Sequence, residues 1–236
     1  MSDKPFTKEN LEKYLCELAK EYRRQNGKRM PAEIILIGGA SVVLNYGFRE
    51  LTYDTDAVIR ASSSMKDAID TVGNKYELPV GWLNADFMKT TSYSPRISQF
   101  SKYYKTYSNI VTFRTVTGEH LLAMKLMSGR QYKYDLSDAI GILWEQEKMG
   151  KPLTIELVKQ ACMDLYDSYE AIPEDSRKFI EQAIHDNNFE ILYQKVRDME
   201  KENKDMLLEF QKEYPGVTNK DNVGEIIKAV RKKQGR

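Results

Sequence analysis

"IILIGGASVVLNYGFRELTYDTDAVI", residues 34–59, is the stretch from which the rest of the chain can be read. An apolar, β-branched run breaks on Gly38 and Gly39, and a helical pattern, "ASVVLNYG", follows at once. Asp54 and Asp56 then stand one residue apart at the head of a second strand-like run, "DAVIR". A strand that ends in two glycines and feeds a helix aims backbone N–H groups and the helix dipole at one point. Without Cβ atoms a ligand can approach that backbone closely, and the point suits a phosphate. Ser41, in the first turn, adds a hydroxyl donor. Side chains at i and i+2 of a strand share a face, so Asp54 and Asp56 can converge on a divalent cation. Two carboxylates that leave positions for water and phosphate oxygens suit magnesium. The competing structural reading is a plain tight turn followed by a solvated strand edge. The order and spacing favour a nucleoside triphosphate held between turn and aspartates.

Outward from this stretch, Thr7 is placed to cap a first helix and Gly27 to stop it, with Leu11, Tyr14, Leu15, Leu18 and Tyr22 as its apolar stripe. "SSSMKDAIDTVGNKY" has serine caps and a helical pattern, and residues 78–95 read as loop. "NIVTFRTV" reads as a third strand. Thr117 can cap "GEHLLAMKLMSGR", and "LSDAIGILWEQEKMG" is a further helix ending at Gly150. Beyond Pro152 nothing strand-like remains. The expected fold is therefore α/β (α+β): a small mixed sheet with flanking helices over residues 1–150, then an all-helical region over 151–236. Within the latter, Phe189, Leu192, Val196, Met199, Asn203, Met206 and Phe210 alternate spacings of three and four. That is either a long helix packed on its own chain or a homodimer seam. "KAVRKKQGR", residues 228–236, reads as the basic end of a last helix.

Composition narrows the function. The chain has 236 residues and formal net charge +1, which argues against wholesale wrapping of nucleic acid. Two histidines, His120 and His185, and two distant cysteines, Cys16 and Cys162, leave little for a zinc cage or a Ser-His-Asp triad. No apolar run approaches the ~18 residues of a membrane span. A soluble, cytoplasmic protein is expected. "FSKYYKTYSNIVTFRT" interleaves Lys102, Lys105 and Arg114 with aromatics, which suits either nucleic-acid stacking or a half-buried amphipathic strand and loop.

The motifs together resemble the nucleotidyltransferases of the DNA polymerase β type. "GGASVVLNYGFRELTYDTDAVI" is similar to their Gly-Gly … Asp-x-Asp signature, and Arg49 and Thr52 precede the aspartates as in the abortive-infection toxin branch. "LLAMKLMSGRQYKYDLSDAIGIL" resembles that branch's downstream lysine, arginine and Asp-x-x-Asp motif, and "GWLNADF" resembles a signature of related uncharacterised bacterial proteins. The resemblance implies a nucleotidyltransferase core with Asp54 and Asp56 as ligands of Mg2+ (or Mn2+), and Gly38, Gly39 and Ser41 as the phosphate-holding turn. It implies Lys125 on the triphosphate and Asp135 at the active-site rim, with Arg130 binding phosphate or pairing with Asp135. The implied partners are an NTP, an RNA or tRNA acceptor and an antitoxin-like protein. Leu121, Leu122, Met124 and Leu126 suffice to bury the Lys125 helix, so Lys125→Ala is expected to weaken triphosphate binding without unfolding. One departure stands out: "NIVTFRTV" carries no third carboxylate, and Glu119 and Asp135 are the substitutes near it in the sequence. The competing functional readings are a nucleotide-binding or regulatory protein without catalysis, and an interaction module built on the helical half.

Overall fold

The structure, a computed structural model, describes residues 4–219 and 222–233. Residues 234–236 of the basic end therefore lie outside the described residues. The central strand is β2 (Ala32–Leu36), within the apolar run. It pairs antiparallel with β4 (Ala57–Arg60) and parallel with β6 (Val111–Val116), and β6 pairs antiparallel with β5 (Ser101–Tyr107), giving the order β4-β2-β6-β5. A separate two-residue ladder joins β1 (Phe6–Thr7) to β3 (Leu51–Thr52).

β2 is apolar at successive positions because both its faces are covered. Ile34 and Leu36 belong to a cluster with α1 (Lys8–Asn26) and α3 (Ser64–Tyr76). Ile35 and Ile37 belong to the opposite cluster, with α4 (Gly118–Ser128), α5 (Asp135–Lys148) and α6 (Ile155–Tyr166). Each such fully buried isoleucine contributes roughly 1.5–3 kcal/mol. This second cluster continues through α7 (Glu174–Asp186) to Phe189 and Tyr193 at the start of α8 (Phe189–Glu213). One apolar core thus runs across the compositional break at Pro152. A last helix, α9 (Val223–Lys233), packs on α8 around Leu207, Val223 and Ile227. Among the described residues no helix is long and apolar enough to cross a membrane.

Several local readings meet a different physical outcome. The serines before α3 make no side-chain cap; Ser62 and Ser64 bond instead to Tyr22 and Asn26 of α1. "FSKYYKTYSNIVTFRT" is not one strand and a loop but a hairpin of β5 and β6, turned by Ser108 and Asn109 in the left-handed region. Lys102, Tyr103 and Lys105 stay exposed on the edge strand, while Tyr104 and Tyr107 pack on the core. The buried face of α8 is Phe189, Tyr193, Val196, Glu200, Asn203 and Leu207, turned slightly from the seam expected, and it packs within its own chain.

Candidate active site

β2 hands over to α2 (Gly38–Asn45) through Ile37, whose N–H donates to the Asp56 carbonyl at 2.9 Å. The two glycines are required for different reasons. Gly38 has φ +54°, a conformation side chains rarely adopt. Gly39 is a matter of space: a Cβ there would lie 2.3 Å from Thr52 Oγ1 and 3.1 Å from an Arg49 guanidinium nitrogen. The Asp56 carboxylate comes within 3.8 Å of where a Gly38 Cβ would stand, so turn and aspartate face each other directly.

Asp54 and Asp56 are not on the regular strand, which begins at Ala57. Their position is fixed from both flanks. Thr52, held by β3, donates its hydroxyl to the Asp54 carbonyl at 3.2 Å. On the other flank, Asn84 of "GWLNADF" pairs in parallel with Asp56; its carbonyl takes the Ala57 N–H at 2.8 Å and its N–H donates to the Thr55 carbonyl at 3.2 Å. Trp82 anchors that segment with an indole bond to the Ile69 carbonyl.

The opposite wall is a charge network. Lys125 is buried and its Nζ lies 2.9 Å from Asp135 and 2.7 Å from Asp138. Arg130 Nε reaches Asp135 at 2.7 Å, and Arg49 donates to Asp138. Burial opposes the charges of Lys125 and Asp135, but the pairing prevails. Lys125 is held above its usual value by Asp138 and Asp135, and Asp135 well below the carboxylate range by Lys125 and Arg130. Three cations thus meet two buried anions, and the surplus positive charge faces the Asp54–Asp56 pair. Burial and the neighbouring Asp54 push Asp56 above its ordinary value, with Arg130, Lys125 and Lys133 pulling the other way.

One cleft is lined by Gly38, Gly39, Asp54, Asp56, Lys125, Arg130 and Asp135, joined by Arg49, Lys133 and Phe87. Ser41 does not reach it. Because α2 starts at Gly38, Ser41 is nearly a full turn inside the helix, fully buried and bonded to Asn45. Asp135 lines the cleft but has both carboxylate oxygens engaged by Lys125 and Arg130. Glu119 turns to His120, whose hydrogen bond holds it down at about 2. Arg49 and the Asp138 of the Asp-x-x-Asp motif lie 89 residues apart in the chain, and nothing local in the sequence marks Glu200 as their neighbour. Fully buried in α8, Glu200 accepts the Leu136 N–H at 2.9 Å.

A family model of nucleotidyltransferases of unknown function (DUF6036) matches residues 13–201, most of the chain and all of this cleft. The chain belongs to that family. No curated protein and no solved structure matches it. The residues of this nucleotidyltransferase-like protein fit a divalent cation in one respect. No described hydrogen bond or ion pair engages the carboxylates of Asp54 and Asp56, although they lie close enough to repel each other. Magnesium is held by one or two carboxylates with substrate phosphates completing its shell, and this pair suits that mode. Among the described residues no group of three carboxylate, histidine or cysteine side chains could hold a metal.

Proposed function

We propose that the protein is a magnesium- or manganese-dependent nucleotidyltransferase that moves a nucleotidyl group from an NTP to an acceptor hydroxyl, with RNA as the acceptor class. The observation that carries the reading is the unpaired Asp54 and Asp56 beside the Gly38 turn, opposite a cationic wall. In the transfer, the acceptor oxygen bonds to the α-phosphorus as its bond to the pyrophosphate oxygen breaks, and the acceptor proton passes to solvent. A cation held by Asp54 and Asp56 supplies charge neutralisation of the triphosphate. The turn at Gly38 and Gly39 admits phosphate oxygens to the backbone, and Arg130 and Lys133 offset charge on the departing pyrophosphate. Lys125, itself part of the cleft lining, holds Asp135 and Asp138 in that wall. The RNA acceptor, a toxin-like role and an antitoxin-like partner rest on the resemblance of the motifs to the abortive-infection branch, and a cytoplasmic site of action on the composition and the lack of a long apolar run in the sequence.

Among the described residues no third carboxylate joins Asp54 and Asp56 as a metal-holding group, which favours a second reading, a regulatory protein that binds nucleotide without transferring it. Incubation with each labelled NTP, magnesium and total cellular RNA separates the two. Label on RNA supports transfer; magnesium-dependent binding without label supports the second reading; absence of binding overturns both.

A further inference from the structure

The first turn of α5 carries Asp135 and Asp138, the anions that organise the cationic wall, yet it has no cap of its own. Its N-cap residue, Tyr134, is in the left-handed region with no side-chain cap bond. The cap comes from α8. Glu200, with no exposed surface, accepts from Leu136 N at 2.9 Å, Ser137 N at 3.4 Å and Ser137 Oγ at 2.5 Å. One turn later Asn203 donates to the Gln131 carbonyl at 2.8 Å. One turn earlier the Arg197 guanidinium lies 3.5 Å from the centre of the Tyr134 ring. Tyr132 packs against the Leu207, Val223 and Ile227 cluster shared by α8 and α9. Three consecutive turns of α8 therefore grip the short segment between α4 and α5, and that segment bears Arg130 and Lys133, both on the cleft wall.

We infer that Glu200 is a positioning residue for the triphosphate site: as a cap supplied from α8, with Asn203 beside it, it holds residues 130–138 so that the cations of the wall face Asp54 and Asp56. This deepens the nucleotidyltransferase reading and rests on it for the ligand. The physical basis is that a helix start with unmet N–H groups frays, and an adjoining segment frays with it. Loss of the cap frees Asp135, and Arg130 and Lys125 lose the partner that orients them.

The test uses the full chain and two readouts: backbone hydrogen exchange over residues 130–138 in the free protein, and calorimetric affinity for ATP, GTP, CTP and UTP with magnesium. Glu200→Ala is expected to speed exchange in that segment, leave α1 and α3 unchanged, and weaken triphosphate binding at least tenfold. Glu200→Gln, which keeps one acceptor oxygen in the same place, is expected to restore most of both. Asn203→Ala, a milder change kept in case Glu200→Ala does not fold, should speed exchange at residues 130–133 and weaken binding a fewfold. Unchanged exchange in every variant that folds overturns the inference, as does faster exchange with unchanged affinity. If the wild type binds no NTP at millimolar concentration, the nucleotidyltransferase reading fails, and the exchange data alone decide whether α8 holds the segment.

Discussion

At the scale of single residues, the cleft sets two like charges, Asp54 and Asp56, against a wall whose own charges are paired with one another. Asp56 sits above its ordinary value because of burial and the charge of Asp54. A carboxyl raised in the folded state costs stability above its folded value and nothing below its unfolded value. Asp56→Asn should therefore raise the melting temperature of the metal-free protein at neutral pH, and the gain should vanish as pH falls below the usual carboxylate range. A lower melting temperature at neutral pH would make Asp56 a structural cap instead. Lys125 behaves in the opposite way. Lys125 is buried between Asp135 and Asp138, which argues against the expectation that its helix could lose it without unfolding. Removing one partner of a buried ion network typically costs ~3–5 kcal/mol. Urea unfolding of Lys125→Ala should show a loss of that order, and a loss under about 1 kcal/mol would show that Arg49 and Arg130 carry the aspartates unaided.

At the scale of elements, the strand–glycine–helix unit and the Asp-x-Asp lead-in were legible because their signals are local. Gly38 is demanded by a dihedral angle, and β2 by apolar residues at successive positions. The cap on α5 was not legible, because Glu200 lies 64 residues from Leu136 in the chain. Nothing near it in the sequence distinguishes it from a solvated glutamate on a charged helix. Ser41 failed for a related reason: its direction depends on where α2 starts, and one helical turn separates the cleft from the core. Glu200 also sets a pH dependence. Burial pushes its carboxyl up to about 7, with Asp138 and Asp135 adding to the shift and Ser137 and the Leu136 N–H opposing it. Between its unfolded value of ~4.5 and about 7 the folded chain holds a proton that the unfolded chain has released. Stability from this group is thus full below that window and is lost as pH rises through it, by an amount on the order of 3 kcal/mol. Melting temperatures of Glu200→Gln relative to wild type should climb between pH 5 and pH 8. A gap that stays constant over that range would mean Glu200 is ionised throughout.

At the scale of the whole molecule, the sheet with its two covered faces positions one end of β2, β4 and their loops as a cleft, and the helical half closes that cleft from behind. The family match ends at residue 201, so the later part of α8 and α9 lies beyond it. The central claim is that this cleft takes a triphosphate together with a divalent cation on Asp54 and Asp56. A ligand well above its Kd must raise apparent stability, so the direct measurement is the melting temperature of the wild type with magnesium, with each NTP, and with both. The largest rise is expected with both together for at least one NTP, and it should be lost in Asp54→Asn and Asp56→Asn. A wild-type melt that ignores magnesium and all four NTPs at millimolar concentration would contradict it.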